Sequence, residues 1–569
     1  MKAFRDLPGR VPAIAWVLLL ALVVIGAGIG LRDPWPADEP RFALIARDMV
    51  LSGQWLFPHV GNVLYPDKPP LYFWIMAACY MVTGSLRVAF LLPSLLAALG
   101  TLWLVHDLGR RLWNERTGIF AALVLLATLQ FVLQAKSAQI DATLAFFTTL
   151  GLYGLCRHLL LGPAWGWYVV GFAAAGAGVI TKGVGFLPLL VFIPWAYALL
   201  ARWPLPRIGG GWRWALGPLA MLTVIAAWLA PMLIAVHFAN DLAFDAYRDN
   251  ILFKQTAERY ADAWHHVEPF WYYLVEVIPV FWLPVTLVLP WLVPAWSRAL
   301  RAHDPRPLLL LGWVVLVVLF FSMSAGKRGL YILPAVPALA LATAPCVDSL
   351  LRRRGVNLAG FAALAVIAVM LLLALLNFLV LRPEKGALLV ERHEASPWLF
   401  VGLLIGAALA WMPLGPKRGM TALCGFFLTV WLIYGLYAYP AFNDARSPAS
   451  MMRKAGAYIG PEAELALVNW REQLILHADR PVVHFGYRMR DDDAEVDAAL
   501  RWLVRGERRY LLLPDEALND CFLADTLHRL DFVHRRNWWL ADVNTVTPAC
   551  RERAQTAPEP DFVIAGKKR

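Results

Sequence analysis

The sequence has few charged residues for its length. Asp, Glu, Lys and Arg make up 16% of its 569 residues, whereas about a quarter of the residues in a soluble domain are charged. Hydrophobic residues account for 59%, and the mean hydropathy is +0.56. Uncharged runs such as VPAIAWVLLLALVVIGAGIGL reach the ~20 residues that a helix needs to cross a bilayer. These runs are apolar without interruption, whereas the strands of a membrane barrel alternate apolar and polar residues. The sequence therefore predicts a polytopic helical membrane protein.

Several motifs that would indicate other classes are also missing. The six cysteines form no CxxC pair, and the polar tail has no glycine-rich nucleotide motif, which argues against a zinc knuckle or a nucleotide site. No basic nucleic-acid motif accompanies the net charge of +11, so we expect no nucleic-acid partner. Cys521 and Cys550 lie in the tail, where a disulfide is possible if the tail is extracytoplasmic.

Basic loops orient the spans by the positive-inside rule. The start MKAFRDLPGR is placed in the cytoplasm, so the first span delivers Asp38 to the outer face. The stretch PPLYFWIMAACYMVTG is short for a span and rich in aromatics, and we predict a juxtamembrane helix at the outer surface. Together with the first span, about 13 crossings are predicted. They are expected at roughly 12–31, 88–108, 117–135, 142–160, 166–180, 184–201, 214–237, 270–296, 307–323, 330–347, 357–381, 398–412 and 420–438.

Composition changes sharply near residue 443, which predicts two domains. Residues 1–442 form the membrane domain, and residues 443–569 lie on its outer side. The tail alternates amphipathic stretches such as SPASMMRKAGAYIG and EVDAALRWLVRG with short apolar runs such as ELALVNW, PVVHFGY, RYLLLP and RNWWLADV. This alternation indicates a small α/β domain.

Ionisable residues of both signs collect at span ends on the outer face. Among them are the basic residues Lys68, Lys182, Arg259, Lys327 and Arg328 and the acidic residues Asp38, Glu39, Asp67 and Asp141. Such residues are functional candidates. Two plainer explanations stay open for single residues: Asp38 before Glu39 and Pro40 is a typical helix start, and a lysine at a helix end can snorkel. Neither explains well why the residues share one face.

The ordered motifs DEPR, PDKPP, AKSAQID, ITKG, AERYADAW and SAGKRGLYILP resemble those of the integral-membrane GT-C glycosyltransferases. Within this superfamily, which includes the protein mannosyltransferases, the resemblance is to the bacterial branch that moves 4-amino-4-deoxy-L-arabinose to lipid A. It covers residues 1–442 and extends to the tail. The resemblance implies an all-α polytopic fold of GT-C type, with periplasmic juxtamembrane helices and a small C-terminal α/β periplasmic domain.

The resemblance also implies roles for individual residues. It assigns catalytic carboxylates to Asp38, Asp141 and Glu39; donor phosphate binding to Lys68, Arg259 and Tyr331; and cavity positions to Arg41, Tyr65, Lys182 and Lys327. One departure is Phe42, which follows Arg41 where the family often has a tyrosine.

The implied reaction is an inverting transfer from undecaprenyl phosphate-linked sugar to lipid A at the periplasmic face of the bacterial inner membrane. This transfer lowers surface negative charge and so gives resistance to polymyxin. No cofactor is required, membrane lipids surround the chain, and a monomer is expected. Cations on the departing lipid phosphate would stabilise the charge that develops there. A lipid A phosphate is already largely ionised near neutral pH, since its second pKa is about 6. We therefore favour an orienting, electrostatic role for Asp38 over that of a general base.

Alternatives remain at this stage. His265, His266 and Glu268, with Asp67 as a further candidate ligand, are a candidate site for a structural divalent metal such as zinc, although paired histidines are more often ordinary residues. The acceptor is open between lipid A, a protein and another glycolipid. A lipid-linked-sugar flippase or a scaffold for the tail domain would be a different class of protein; intramembrane charges of a transporter would line a path across the bilayer.

Overall fold

The structure is a computed structural model that describes residues 12–253, 267–384, 387, 390, 396–487 and 492–566. Six of its helical segments are long and apolar enough to cross a membrane, and two bent helix pairs raise this number to as many as eight within the described residues. Five shorter apolar helices accompany them. The prediction of a polytopic helical membrane protein is confirmed, while the expected total of about 13 crossings stays a prediction.

The N-terminal helices carry most of the residues discussed below. They are α1 (Ala13–Gly26), α2 (Glu39–Ser52), α3 (Leu71–Thr83), α4 (Leu86–Ala89), α5 (Leu92–Leu112), α6 (Glu115–Ala127), α7 (Leu129–Ala135), α8 (Ile140–Leu161) and α9 (Trp165–Lys182). A short hairpin, β1 (His59–Val60) and β2 (Val63–Leu64), lies between α2 and α3.

The later membrane helices follow the expected runs closely. They are Phe192–Leu200, Leu216–Ala239, Leu289–Arg301, Pro305–Met323, Ala335–Thr343, Arg354–Leu376, Trp398–Trp411 and Gly419–Ile433, with a polar helix at Leu242–Asp249 and shorter helices at Ile278–Phe281, Val347–Leu351, Tyr439–Ala441 and Asn443–Arg446. The agreement arises because hydrocarbon leaves a spanning backbone little alternative to helix.

Two expected spans are broken. The chain bends by 70° between α6 and α7, and by 100° between Tyr273–Phe281 and Thr286–Arg301. Pro284 lies in the second break, where it cannot donate a backbone hydrogen bond. The two breaks contact each other, since the Leu129 N–H donates to the Leu283 carbonyl at 3.1 Å. These bends redirect α7 toward the start of α8.

The tail folds around a six-stranded mixed sheet. Its strands are β3 (Glu464–Leu467), β4 (Val482–His484), β5 (Arg509–Pro514), β6 (His528–Val533), β7 (Arg536–Ala541) and β8 (Val563–Ala565), in the order β6-β7-β5-β3-β4-β8. Helices Ala449–Ile459, Glu472–His477, Asp492–Leu503 and Pro548–Thr556 accompany the sheet. The small α/β domain is confirmed, and a disulfide joins Cys521 to Cys550. The expected domain boundary at residue 443 stays a prediction.

Basic loops meet at the end of the helices away from Asp141. Ser94, near the start of α5, donates a hydrogen bond to the Ser137 carbonyl at 2.7 Å, and Ser137 lies just before α8, which begins beside Asp141. The start of α5 is therefore at the Asp141 end of the helices, and Arg110 and Arg111, near the end of α5, lie at the opposite end. There the Arg116 guanidinium pairs with Asp348, and Arg306 donates to the Leu112 carbonyl at 2.9 Å. These basic loops therefore share one side, as the positive-inside assignment requires.

The α/β domain of the tail, built around strands β3 to β8 and called the soluble domain below, contacts α2 and the β1–β2 hairpin. Arg47 of α2 donates to the Ile475 carbonyl at 3.2 Å. The His484 ring contacts the Gly61 carbonyl at 2.8 Å, and Asn62 donates to the Ile564 carbonyl at 2.6 Å. A Cβ at Gly61, whose φ is +57°, would lie 3.0 Å from the Trp470 ring. The hairpin tip thus needs a glycine for both its conformation and its close approach.

Asp33 ties the start of the soluble domain to the loop after α1. Its carboxylate accepts hydrogen bonds from Ser447 at 2.7 Å and Asn443 at 3.1 Å, and it pairs with Arg87 at 2.9 Å. Burial by itself raises the pKa of Asp33, but interaction with His477, the two hydrogen bonds and Arg87 outweigh it. The net effect lowers the pKa of Asp33 below its ordinary value.

We expect Asp33→Asn to flatten the acid dependence of stability. Because the folded-state pKa is depressed, the ionised carboxylate stabilises the protein above the unfolded pKa of about 3.9, and this contribution is lost as pH falls through the folded pKa. Thermal midpoints of the detergent-solubilised chain should fall more steeply for wild type than for the variant below about pH 5. Asp531→Asn, which removes the pairing partner of exposed Lys454, is the matched control. Parallel curves for wild type and Asp33→Asn would contradict the prediction.

Candidate functional site

A polar cavity of about 170 Å³ lies at one end of the membrane helices, and all of its lining residues come from the membrane part of the chain. Its walls come from the start of α2, the loop after β2, the loop into α8, the end of α9 and the segment after Pro305–Met323. The lining residues are Asp38, Arg41, Phe42, Tyr65, Asp67, Lys68, Gln139, Ile140, Asp141, Lys182, Arg328 and Tyr331. Residues from five separate motifs of the sequence therefore meet in one place.

Asp38 occupies the N-cap position of α2 without capping it. Its side chain makes no cap hydrogen bond. One carboxylate oxygen lies 3.4 Å from Arg41 Nη1, and the other lies 3.4 Å from both terminal nitrogens of Arg328. The capping explanation for this residue is therefore wrong, because the carboxylate turns toward two cations that line the cavity.

Arg41 connects the cavity to the soluble domain. Its Nε donates to Glu472 Oε1 at 2.6 Å, and the Tyr487 hydroxyl donates to the same oxygen at 2.9 Å. Burial opposes the charge on Arg41, but the adjacent Glu472 carboxylate and the neighbouring tyrosines Tyr65 and Tyr487 raise the pKa of the guanidinium above its ordinary value. Arg41 is thus a fixed positive charge.

Asp141 and Lys182 form a buried ion pair that also lines the cavity. Lys182 Nζ donates to Asp141 Oδ1, and the Asp141 side chain is only 4% exposed. The same ammonium lies 4.5 Å from the centre of the Tyr331 ring. Because Asp141 begins α8 and Lys182 ends α9, the antiparallel packing of these helices brings the two charges together.

The loop after β2 contributes three polar residues to the cavity. Lys68 Nζ donates to the Asp67 carbonyl at 2.8 Å, which curls the lysine over its own loop. Tyr65 is nearly fully buried, and its ring lies 6.1 Å from the ring of Phe73 on α3. Prolines at positions 66, 69 and 70 restrict the backbone around Lys68.

Two residues expected in the site lie outside its lining. The Glu39 carboxylate pairs with buried Arg32 and also accepts the backbone N–H groups of Trp35 and Ala138 at 2.8 and 2.9 Å. Lys327 is 4% exposed and donates to the Glu268 carbonyl at 2.6 Å. For both, the side chain is engaged in holding chain segments together, so the structure does not bring them to the cavity.

The remaining predicted residues fall outside the described part of the chain. Arg259, His265 and His266 lie between residues 253 and 267. Among the residues that the structure describes, no three His, Cys, Asp or Glu side chains cluster as metal ligands. Of the proposed metal ligands, Asp67 lines the cavity, and the zinc hypothesis stays a prediction.

Sequence reasoning missed two contributors and gave a third no role. Arg328 was among the charges expected on the outer face, but the cavity position in the SAGKRG run was assigned to its neighbour Lys327, whereas Arg328 faces Asp38. Gln139 stands beside Asp141 in the AKSAQID motif and lines the cavity. Glu472 lies in the soluble domain, 431 residues from Arg41 along the chain, and no local motif marks it.

Comparisons with known proteins agree with this architecture. A family model described as dolichyl-phosphate-mannose-protein mannosyltransferase matches residues 67–230. The chain is 32% identical over 465 residues to an undecaprenyl phosphate-alpha-4-amino-4-deoxy-L-arabinose arabinosyl transferase of Sodalis glossinidius, covering 78% of this chain and 79% of the relative. A Pseudomonas fluorescens protein of the same description is 32% identical over 339 residues, and the match spans 57% of this chain and 58% of the relative.

A solved structure shares the fold. The crystal structure of ArnT from Cupriavidus metallidurans bound to undecaprenyl phosphate matches with a TM-score of 0.73 and 23% identity, covering 94% of this chain and 100% of that one. The similarity extends through both the membrane helices and the soluble domain, and it confirms the GT-C fold expected from the sequence.

Proposed function

Because the chain belongs to the undecaprenyl phosphate-alpha-4-amino-4-deoxy-L-arabinose arabinosyl transferase family, we propose that it transfers this aminopentose from undecaprenyl phosphate to a phosphate of lipid A. The observation that carries the proposal is the cavity itself. Four cations, Arg41, Lys68, Lys182 and Arg328, and three carboxylates, Asp38, Asp67 and Asp141, line it at one end of the membrane helices. A phosphate-linked sugar needs this combination of charges.

The cations suit the leaving group of the reaction. An oxygen of the acceptor phosphate attacks C1 of the sugar while the C1–O bond to undecaprenyl phosphate breaks. The bonding electron pair stays on the departing phosphate oxygen, and the new C1–O bond forms on the opposite face, which inverts the anomeric carbon. Lys68, Arg328 and the Tyr331 hydroxyl are proposed to bind the departing dianion, since fixed charges stabilise developing charge strongly in a water-poor site. Arg259 keeps its proposed phosphate role.

The carboxylates are proposed to have a different role from the cations that bind the phosphate. A phosphate acceptor arrives ionised at neutral pH, since its second pKa is about 6, and no proton must be removed from it. The Asp38 carboxylate lies 3.4 Å from two arginines, Arg41 and Arg328. We propose that it orients the sugar and balances the cations, and that Asp141 holds the Lys182 ammonium in place. Glu39 is proposed to stabilise the fold instead of acting in catalysis.

The site is proposed to lie on the periplasmic side of the inner membrane. The basic loops lie at the other end of the helices, which the positive-inside rule places in the cytoplasm. The Cys521–Cys550 disulfide fits an oxidising compartment on the side of the soluble domain. Addition of a cationic sugar there would lower the negative charge of lipid A and reduce binding of polymyxin.

Thiol labelling tests this placement. We expect four cysteines, Cys79, Cys156, Cys346 and Cys424, to react with a maleimide-polyethylene glycol reagent after denaturation of membranes from an intact host. Prior reduction should raise the number of labelled cysteines to six. A Cys521→Ser, Cys550→Ser variant should label identically with and without reduction. Six reactive thiols in unreduced wild-type protein would contradict an oxidising location for the tail.

An assay with purified components tests the reaction. Detergent-purified protein is given undecaprenyl phosphate-linked aminopentose with intact or enzymatically dephosphorylated lipid A, and products are read by mass spectrometry. We expect product with the intact acceptor alone. Equal product with dephosphorylated lipid A would indicate a hydroxyl acceptor and a general base. Movement of the donor across liposomes without transfer would instead indicate the flippase alternative.

A further inference from the structure

The soluble domain places a buried carboxylate directly behind the cavity wall. Glu472 begins the helix Glu472–His477 and is only 5% exposed. Its Oε1 accepts both the Arg41 Nε–H at 2.6 Å and the Tyr487 hydroxyl at 2.9 Å. The Tyr487 ring packs 5.4 Å from the Trp470 ring. The Glu472 carboxylate therefore has two hydrogen-bond donors, Arg41 and Tyr487, and is buried in the interface. An exposed ion pair at the surface would be less firmly fixed.

This contact differs from the others that seat the domain on α2. Arg47, His484 and Asn62 reach backbone carbonyls across the interface and line no part of the cavity. Glu472 instead contacts Arg41, whose guanidinium lines the cavity. A change at Glu472 is thus transmitted directly to a charged wall of the site.

The distances around Arg41 show what Glu472 does. The guanidinium stands 2.6 Å from Glu472 through Nε but 3.4 Å from Asp38 through Nη1. A charge-assisted hydrogen bond usually closes to about 2.7–2.9 Å, so Arg41 is committed to Glu472 and only near to Asp38. Without the negative charge at Glu472, the guanidinium would be drawn onto the Asp38 carboxylate.

We propose that Glu472 is a positioning residue of the transferase: it holds Arg41 back from Asp38, so that the Asp38 carboxylate stays open to the sugar. The proposal rests on the proposed function and extends the active site into the soluble domain. The soluble domain then contributes to catalysis, because its Glu472 fixes the position of the Arg41 charge in the cavity.

Glu472→Gln tests the proposal, since it removes the charge and keeps the size. We expect kcat for aminopentose transfer to fall about 10- to 100-fold, the range that a small misplacement of catalytic groups costs, with an unchanged KM for the donor. Removing one partner of a buried pair also destabilises the fold, so turnover is measured per folded molecule at a temperature well below the thermal midpoint of the variant. Glu464→Gln is the matched control. It removes a carboxylate that pairs with Arg509 within the sheet at 2.8 Å, and it should leave kcat unchanged.

A double-mutant cycle separates positioning from general stabilisation. If Glu472 acts through Arg41, Glu472→Gln should cause no further loss of kcat in an Arg41→Gln background. An equal loss of kcat per folded molecule in both backgrounds, or no such loss in the single variant, would each overturn the proposal.

A structural measurement tests the role of Glu472 independently of the transfer reaction. In a cryo-electron microscopy structure of Glu472→Gln, we expect the distance between an Arg41 nitrogen and the Asp38 carboxylate to shorten from 3.4 Å to about 2.7–2.9 Å. An Arg41 that stays in place would overturn the proposal. If wild-type protein transfers no aminopentose, the proposed function fails by itself, and the Arg41 position still decides the role of Glu472.

Discussion

Replacing Asp38 by asparagine is expected to lower the rate of sugar transfer at least about 100-fold, the usual cost of removing one preorganised electrostatic group from an active site. The physical reason is the position of its carboxylate between Arg41 and Arg328. Asparagine keeps the shape but removes the negative charge that lies 3.4 Å from each of the two cations, at the point where the sugar would bind. Turnover of purified protein with the lipid-linked donor measures the loss.

The same substitution should leave the thermal midpoint close to that of wild type, because Asp38 makes no capping hydrogen bond. A matched control exists in Asp241, whose side chain does cap its helix by accepting the Ala243 N–H at 2.8 Å. Asp241→Ala should cost about 0.5–2 kcal/mol of stability and leave turnover unchanged. If Asp38→Asn lowered stability while turnover persisted, Asp38 would be a structural residue and the account of the cavity would be wrong.

Replacing the adjacent Glu39 by glutamine is expected to have the opposite effect: it should lower stability strongly and change turnover little. Its carboxylate and the Arg32 guanidinium form a pair whose side chains are 7% and 3% exposed. The Arg32 guanidinium also lies 4.5 Å from the ring centres of Trp35 and Tyr439. Removing one partner of a buried pair leaves an uncompensated charge and typically costs about 3–5 kcal/mol. Thermal unfolding should therefore shift strongly, while turnover per folded molecule stays within a few-fold of wild type.

A compensating variant sharpens this test. Replacing both Glu39 and Arg32 by methionine removes both buried charges, so it should recover part of the stability that Glu39→Gln loses. The resemblance to the family suggested a catalytic role for Glu39. A Glu39→Gln protein with an unchanged thermal midpoint and no turnover would restore that role and contradict the assignment made from the structure.

The membrane fold was largely predictable because a spanning segment must be both apolar and helical. Apolar runs located most helices to within a few residues. The breaks beside Thr128 and Pro284 were not foreseen. Both runs stay apolar through the bend, and hydropathy carries no information about direction. Strands β6 and β8 were also missed; Arg529, Asp531 and other polar residues interrupt the apolar pattern of β6, and β8 is three residues long.

The site was predictable in part, for a related reason. Asp38, Lys68, Asp141 and Lys182 were selected because charges at span ends on one face are unusual, and the structure brings all four to one cavity. Adjacent acids such as Asp38 and Glu39 cannot be separated this way, since successive residues of a helix point in different directions. Glu472 carries no local signal, because its partner lies 431 residues away. The catalytic and binding roles themselves stay predictions.

One measurement tests the central claim most directly. The chain is expressed in a Gram-negative host that makes the undecaprenyl phosphate-linked aminopentose but lacks its own transferase, and the lipid A mass spectrum is recorded for wild type and Asp38→Asn at equal membrane levels. We predict that wild type adds one aminopentose mass to lipid A and that the variant adds none. Unmodified lipid A in the presence of folded wild-type protein, or equal modification by both proteins, would contradict the account.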